Sequence, residues 1–144
     1  MRRFSAESGG SQRNVESEVH NVSLASDLLR GHTEPIILAR LLLRDSYGYE
    51  INKAIVELTS GSCELKEATL YTAFRRLESV GCITSYWGDE TTGARRRYYA
   101  ITRVGKDALT RHLAEWKDAK ALIDKLLDIP MLATEGEGEK NGNA

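Results

Sequence analysis

The sequence predicts a mainly α-helical fold with one small β-hairpin and a long C-terminal helix. Apolar residues recur at helical spacing in four segments, and two strand-like segments flank a connection rich in Thr and Gly. The last helical pattern continues for roughly 25 residues, which is nearly 40 Å of helix. The chain has 144 residues, of which 41% are hydrophobic and 28% charged, and this suits one globular domain with flexible ends.

The first helix is expected from Asp27 to about Arg44. Its apolar residues form a broad helical stripe, made of Leu29, Ile36, Ile37, Leu41 and Leu42. Pro35 disturbs this pattern, because proline has no N–H to donate and its ring crowds the preceding turn. Either the helix kinks there, eased by Gly31, or it begins near Thr33 with Thr33 as its N-cap.

Two more helices should follow, separated by the Ser-Gly-Ser break at residues 60–62. The second spans about Tyr47 to Thr59, and its inward residues are predicted to be Ile51, Ala54, Ile55 and Leu58. The third runs from about Glu67 to Val80 and ends at Gly81, a natural helix stop. Its core residues are predicted to be Leu70, Phe74 and Leu77, which share one face.

A hairpin and the long helix complete the domain. The strands are predicted at Ile83–Trp87 and Arg96–Ile101, joined by residues 88–94, and the last helix begins after Thr102 and reaches about Leu127. Three short helices, a hairpin and a long helix make the winged helix-turn-helix plan. We therefore assign residues 27–106 to a winged helix-turn-helix domain and 107–128 to a C-terminal dimerisation helix. Residues 1–26 and 129–144 are predicted to be disordered tails.

Charge is unevenly distributed along the chain. The formal net charge is -1, yet residues 66–106 carry +4 and the remainder -5. A basic segment on a nearly neutral chain indicates a face that binds a polyanion. The absence of a long apolar run and of an apolar signal core predicts a cytosolic protein without a membrane partner.

Catalytic and metal-binding patterns are missing. The sequence has no recognisable Ser/His/Asp set, paired-carboxylate motif or phosphate loop, so we expect neither an enzyme nor a cofactor or metal site. Cys63 and Cys82 lack metal-ligand spacing and are interpreted as free thiols, with a redox-sensing pair as the alternative.

The third helix offers polar groups opposite its core stripe. The predicted DNA contacts on and before it are Lys66, Thr69, Tyr71, Thr72, Arg75 and Arg76. Arginine can pair with guanine edges, and hydroxyls can bond bases or phosphates, so this face suits a major groove. On helix three alone, an ordinary solvated face explains the same pattern equally well.

Three consecutive arginines at the mouth of the hairpin favour DNA binding. Arg95 and Arg97 would share one face of the strand and Arg96 the other. A narrow minor groove or a row of phosphates explains such a cluster, and a charged edge that blunts aggregation is the alternative.

Several motifs together resemble the PadR family of transcriptional regulators. The run Glu67-Ala68-Thr69-Leu70-Tyr71 with Arg76-Leu77-Glu78 and Gly81 resembles its helix-three signature, and residues 86–99 resemble its wing. Gly48-Tyr49-Glu50-Ile51 resembles the opening of its second helix, which adds Tyr49 to the predicted DNA contacts. Thr102 with Gly105 resembles the entry to its last helix. The resemblance covers about Leu28 to Leu127 and is closest to the short, drug-responsive members.

The resemblance implies a homodimeric repressor that binds double-stranded DNA at an inverted repeat. It also implies a pore between subunits in which a planar aromatic compound can stack beside a tryptophan. Two positions depart from the family pattern. Lys66 stands where a small polar cap is usual and opposes the helix dipole, and Pro35 is unusual in the first helix.

The last helix carries a coiled-coil-like seam at spacings of four and three. The seam runs through Leu109, Leu113, Trp116, position 120, Ile123 and Leu127. A stripe packed on the chain's own core is the alternative. The helix is long for so small a domain, so we expect it to hold a dimer together with the partner's first helix.

Position 120 of this seam is a lysine, which must reach water, pair with an acid or face a cavity. The resemblance therefore implies a ligand pore with a basic group in its wall. Its predicted lining is Trp116, Lys120, Leu113, Ile123, Gly31, Glu34 and Pro35, with Glu34 able to neutralise the lysine. Such a pore would tolerate anionic or neutral aromatics. Alternatively, Lys120 extends its ammonium to water at the helix edge and no ligand binds.

Two other functional classes compete with the regulator. An enzyme lacks support, since His32 and His112 have no ligand spacing. A winged helix that serves only protein contacts is the second, because fold alone does not fix function. The basic face favours DNA binding over both.

Overall fold

The computed structural model describes residues 27–89, Gly93 and residues 95–130. The helices are α1 (Thr33–Leu43), α2 (Gly48–Leu58), α3 (Glu67–Ser79) and α4 (Arg103–Leu126). The strands are β1 (Ser46–Tyr47), β2 (Ile83–Trp87) and β3 (Arg97–Ile101). The predicted tail at residues 1–26, residues 131–144 of the tail predicted at 129–144, and most of the predicted hairpin loop lie outside the described residues.

A three-stranded antiparallel sheet has the order β1-β3-β2. The hairpin register pairs Ile83 with Ile101 at its base and Trp87 with Arg97 at its far end. In the third strand, β1, Ser46 pairs with Tyr99. Sequence analysis did not predict β1, because a strand of two residues is too short to show alternation. The predicted plan, mainly helical with a small hairpin, is otherwise confirmed.

The first helix begins later than Asp27. A single helical turn covers residues 27–30, and the chain then turns as the His32 N–H bonds to the Leu29 carbonyl at 2.8 Å. Pro35 is the third residue of α1, where its missing N–H removes no bond within that helix. The Thr33 cap was wrong: His32 occupies the cap position without a side-chain bond, and the Thr33 hydroxyl bonds back to the Leu29 carbonyl.

The core lies between α1, α2, α3 and the sheet. Its most buried large side chains are Phe74, Ile37, Leu41, Ile51 and Ile83. The Phe74 ring stacks on Tyr99 of β3, with ring centroids 4.0 Å apart, and this contact joins α3 to the sheet. Both cysteines are buried free thiols within the described residues.

Two leucines predicted to face inward are exposed. Leu42 lies about 100° around α1 from the stripe formed by Ile37, Leu38 and Leu41. Leu58 is the last residue of α2, and its side chain is 65% exposed, because the chain turns away at Thr59 and Ser60 before the core reaches it. Ala54 is half-buried.

The start of α4 is fixed by Thr102, as predicted. Its hydroxyl accepts a bond from the Gly105 N–H at 3.2 Å and donates to the Gly81 carbonyl at 2.5 Å. Its N–H bonds to the Cys82 carbonyl. Gly105 and Leu109 of α4 are buried.

The chain divides into two compact units between Leu109 and Thr110, inside α4. The first unit contains the winged helix elements, and the second contains the rest of α4. Within the described part of the chain, no helix combines the length and apolar character needed to cross a membrane.

Candidate nucleic-acid interface

Helix α3 separates its core face from its polar face as the sequence predicts. Leu70, Ala73, Phe74 and Leu77 are buried. All six residues predicted to contact DNA here are exposed, namely Lys66, Thr69, Tyr71, Thr72, Arg75 and Arg76. The Arg75 guanidinium lies 3.5 Å from the Thr72 hydroxyl, so these two groups sit side by side on the helix surface. The exposed face therefore presents hydroxyl and guanidinium groups together.

The start of α3 is positioned by Asn52, which sequence analysis missed. The Asn52 side chain bonds to the backbone of Leu65 in both directions, donating at 2.9 Å and accepting at 3.0 Å. This pair of bonds fixes the loop directly before α3 onto α2. An Asn inside a helix was the available signal, since asparagine favours bonds to nearby backbone over helical propagation.

Lys66 occupies the N-cap of α3 with extended backbone and no side-chain cap bond. The first N–H groups of α3 therefore stay without a side-chain acceptor, and the helix dipole adds positive character at this end. A lysine beside such an end is suited to a phosphate rather than to a helix cap.

A cleft of about 440 Å³ lies between the start of α2, the middle of α3 and the wing, which we define as β2, β3 and the residues between them. It brings together five of the predicted DNA contacts with other aromatic groups. Its lining is Tyr47, Gly48, Tyr49, Tyr71, Trp87, Arg95, Arg96, Arg97 and Tyr99. A neighbouring cleft of about 600 Å³ at the start of α3 includes Tyr49, Lys66 and Tyr71.

The outer face of the sheet carries an aromatic row. The Tyr86 and Tyr98 rings stack at 5.6 Å, Tyr47 meets the edge of Tyr98 at 5.4 Å, and the Arg96 guanidinium lies 4.8 Å from the centre of the Tyr47 ring. The Tyr86 hydroxyl donates to the Asp45 carboxylate at 2.7 Å, which raises the pKa of Tyr86. Burial raises the pKa of Tyr99. Both tyrosines are therefore protonated at neutral pH.

Two of the predicted DNA-contacting arginines form ion pairs inside the domain. Arg76 of α3 lies 2.8 Å from Glu34 of α1, and Arg97 of β3 lies 3.3 Å from Glu78 of α3. Arg75 and Arg95 are exposed. The five arginines are thus not equivalent, which their sequence positions did not reveal.

The residues predicted to line a pore fall in both units. Gly31, Glu34 and Pro35 are in the first unit and are exposed or half-buried. The other four are exposed and lie in the second unit: Leu113, Trp116, Lys120 and Ile123. Side chains of both groups are accessible to solvent. The pore itself remains a prediction.

Comparison with known proteins identifies the family. Residues 37–111, more than half of the chain, match the transcriptional regulator PadR-like family. A transcriptional regulator from Clostridium thermocellum is 46% identical, with a TM-score of 0.67, and the match covers 72% of this chain and 97% of that one.

Two further relatives agree. A PadR family transcription regulator from Clostridium difficile R20291 is 38% identical with a TM-score of 0.58, over 66% of this chain and 97% of that one. An uncharacterised protein of Lysinibacillus sphaericus is 45% identical over 103 residues, which are 72% of this chain and 94% of the relative. The chain belongs to the PadR-like family of transcriptional regulators, which are DNA-binding proteins rather than enzymes.

Proposed function

We propose that this protein is a homodimeric repressor that binds an inverted-repeat DNA operator and is released by a planar aromatic ligand. The observation that carries the DNA-binding part is the cleft between α3 and the wing. It combines Tyr71 of α3, which we call the reading helix, with Arg95 and Arg96 on one accessible surface. In this proposal α3 enters the major groove and the wing arginines meet phosphates or the adjacent minor groove.

Substitution of the reading helix tests base recognition. We expect Arg75→Ala to weaken binding by about 10- to 100-fold and to relax base preference, because a guanidinium paired with a guanine edge discriminates by about 1–3 kcal/mol. Half-sites should lie about one helical turn apart. The measurement is selection of duplexes from genomic fragments, followed by fluorescence anisotropy with the selected duplex and with mismatched versions.

Arg103→Ala is the matched control. Arg103→Ala removes the same charge from another exposed position. Arg103 follows the base of the hairpin, at the opposite end of β3 from the wing tip. This variant should bind the selected duplex like the parent. If Arg75→Ala and Arg103→Ala are indistinguishable, α3 does not read the bases. If the affinity for the duplex does not change with salt concentration, the alternative of a winged helix that serves only protein contacts is favoured instead.

The dimer is proposed from the apolar residues of the second unit. Leu113, Trp116, Ile123 and Leu127 are each about half exposed or more, and they follow the seam of α4. A helix that exposes an apolar stripe gains free energy by burying it against another chain. PadR regulators typically dimerise, which supports the same assembly.

An acidic substitution in this seam should break the dimer. We expect Ile123→Asp to shift the sedimentation coefficient to that of a monomer at micromolar concentration, because burying an unpaired carboxylate costs several kcal/mol. Lys125→Asp places the same residue on the opposite side of α4 and should remain dimeric. A dimer that survives both Ile123→Asp and Leu113→Asp would contradict the proposed seam.

The ligand pore is proposed at the same interface, in line with the short, drug-responsive members that the chain resembles. Trp116 would stack on the ligand, and Lys120 would weaken the preference for cations and allow anionic or neutral aromatics. Accessible positions of Gly31, Glu34 and Pro35 in the first unit and of Leu113 and Ile123 in the second support this lining.

Tryptophan fluorescence provides the test of this pore. We expect planar anionic dyes as well as cationic dyes to quench the parent, and Lys120→Asp to shift the preference toward cationic dyes because the charge in the wall changes sign. Trp87 remains as background, so Trp116→Phe sets the baseline. Quenching that is unchanged in Trp116→Phe would remove the stacking site.

A further inference from the structure

A closed cluster of three side chains joins α3 to the wing. The Arg97 guanidinium donates to Glu78 Oε1 at 3.3 Å, to Oε2 at 3.4 Å and to the Ser85 hydroxyl at 2.8 Å. The Ser85 hydroxyl in turn donates to Glu78 Oε1 at 3.1 Å. Each pair within the cluster is therefore bonded, and the three groups come from three different elements.

The register of the sheet explains why these groups meet. Ser85 pairs with Tyr99 and Trp87 pairs with Arg97, so Ser85 and Arg97 are diagonal neighbours on the face of the hairpin that packs against α3. Glu78 follows Phe74 by four residues on α3 and shares its face. The cluster thus continues the Phe74–Tyr99 stack outward, and the Arg97 guanidinium lies 5.8 Å from the centre of the Tyr99 ring.

The electrostatics of the cluster disfavour a phosphate at Arg97. A phosphate would have to displace the carboxylate, or else approach a guanidinium whose charge Glu78 already balances. Both side chains are partly exposed, at 48% for Arg97 and 38% for Glu78, and an ion pair this exposed adds little to the free energy of folding. Its consequence is geometric, because it ties Arg97 of β3 to Glu78 of α3.

Resting on the proposed DNA-binding function, we propose that Glu78 is a positioning residue of the DNA interface. It holds Arg97 as a brace between α3 and the wing, so Arg95 rather than Arg97 contacts phosphate. The brace presents Arg95 and Arg96 in register with the exposed face of α3. Among the three consecutive arginines, Arg96 stacks on Tyr47 and Arg97 is bonded to Glu78, so the phosphate contact is assigned to Arg95.

The salt dependence of DNA affinity separates a brace from a phosphate contact. The probe is a fluorescent duplex of about 30 base pairs, three helical turns, selected from genomic fragments, titrated with the full chain at several salt concentrations. Arg95→Ala should lower the slope of log affinity against log salt by about 0.9 per lost phosphate contact. Arg97→Ala should weaken binding three- to tenfold with the slope unchanged, because no counterion release is lost.

Glu78→Ala gives opposite signs for the two roles. If Arg97 is a brace, removal of the carboxylate weakens binding about as much as Arg97→Ala does, and the double variant is no weaker than either single one. If Arg97 is a phosphate contact restrained by Glu78, the same change tightens binding and steepens the slope. Arg97→Lys should behave like Arg97→Ala, since lysine keeps the charge but loses the planar fork that spans Glu78 and Ser85.

Urea unfolding of each variant shows whether the fold is intact, and we expect midpoints close to that of the parent. Tighter binding by Glu78→Ala, or a slope lowered by about one unit in Arg97→Ala, overturns the brace. If the parent binds the duplex and Arg75→Ala weakens it in either of those cases, the proposed function stands and only the brace fails. A parent that binds no duplex at any salt overturns both.

Discussion

Replacing Gly105 with alanine is expected to destabilise the fold by about 3 kcal/mol or more, because the added methyl group has no room. A Cβ at this position would overlap the Cys82 carbonyl oxygen and lie 2.8 Å from Cγ1 of Ile101. The obstruction is backbone that also accepts the Thr102 N–H, so it cannot rotate aside. The helical preference of alanine over glycine, about 1 kcal/mol, does not offset this overlap.

The measurement is urea unfolding followed by circular dichroism, at one fixed protein concentration because the proposed dimer would contribute to apparent stability. Gly31→Ala is the matched control. A Cβ at Gly31 meets nothing within 4 Å, and its φ lies outside the left-handed range. The free energy of unfolding of that variant should lie within about 1 kcal/mol of that of the parent. Equal midpoints for Gly105→Ala and Gly31→Ala would show that α4 does not approach the Cys82 carbonyl as closely as described.

Truncation of Phe74 should produce the second large loss, about 3–5 kcal/mol. The Phe74 side chain is 1% exposed and packs between Tyr99 on the sheet and Gly48 at the start of α2. Phe74→Ala leaves a cavity where three elements meet, and these elements also carry the proposed DNA contacts. Phe74→Leu fills part of that space and should lie between the parent and Phe74→Ala.

Leu58→Ala serves as the comparison for an exposed apolar residue. Its side chain loses little contact on truncation, so the free energy of unfolding should stay within about 0.5 kcal/mol of that of the parent. The same urea experiment measures all three variants. A loss at Leu58 comparable to that at Phe74 would mean that another chain or segment covers the end of α2.

Much of the candidate DNA interface could be predicted from the order of residues. The face of α3 follows from helical geometry alone, since Leu70, Phe74 and Leu77 must share one side and the polar residues must share another. The break after Leu58 and the stop at Gly81 were visible as glycine and serine positions. The start of α4 after Thr102 was predicted from the pattern and is confirmed, and the bond from the Gly105 N–H to the Thr102 hydroxyl explains it.

The roles of individual arginines could not be predicted in this way. Arg95, Arg96 and Arg97 are identical neighbours in sequence, and alternation assigns them only to faces. Which of them meets a carboxylate depends on Glu78, 19 residues earlier, and on the distance between α3 and the sheet. Likewise, the pairing of Arg76 with Glu34 requires α1 and α3 to pack together.

The sequence by itself determined the periodic features of this protein: the helices, the hairpin, the basic segment and the family motifs. These depend on residues within a few positions of each other, where backbone geometry fixes which side chains share a face. Only the tertiary structure decided that Leu42 and Leu58 stay exposed, that β1 joins the sheet, and that two of the arginines predicted to contact DNA are ion-paired. Such outcomes depend on which distant segments of the chain come within a few ångströms of each other, because those contacts decide which side chains are buried and which charges are paired.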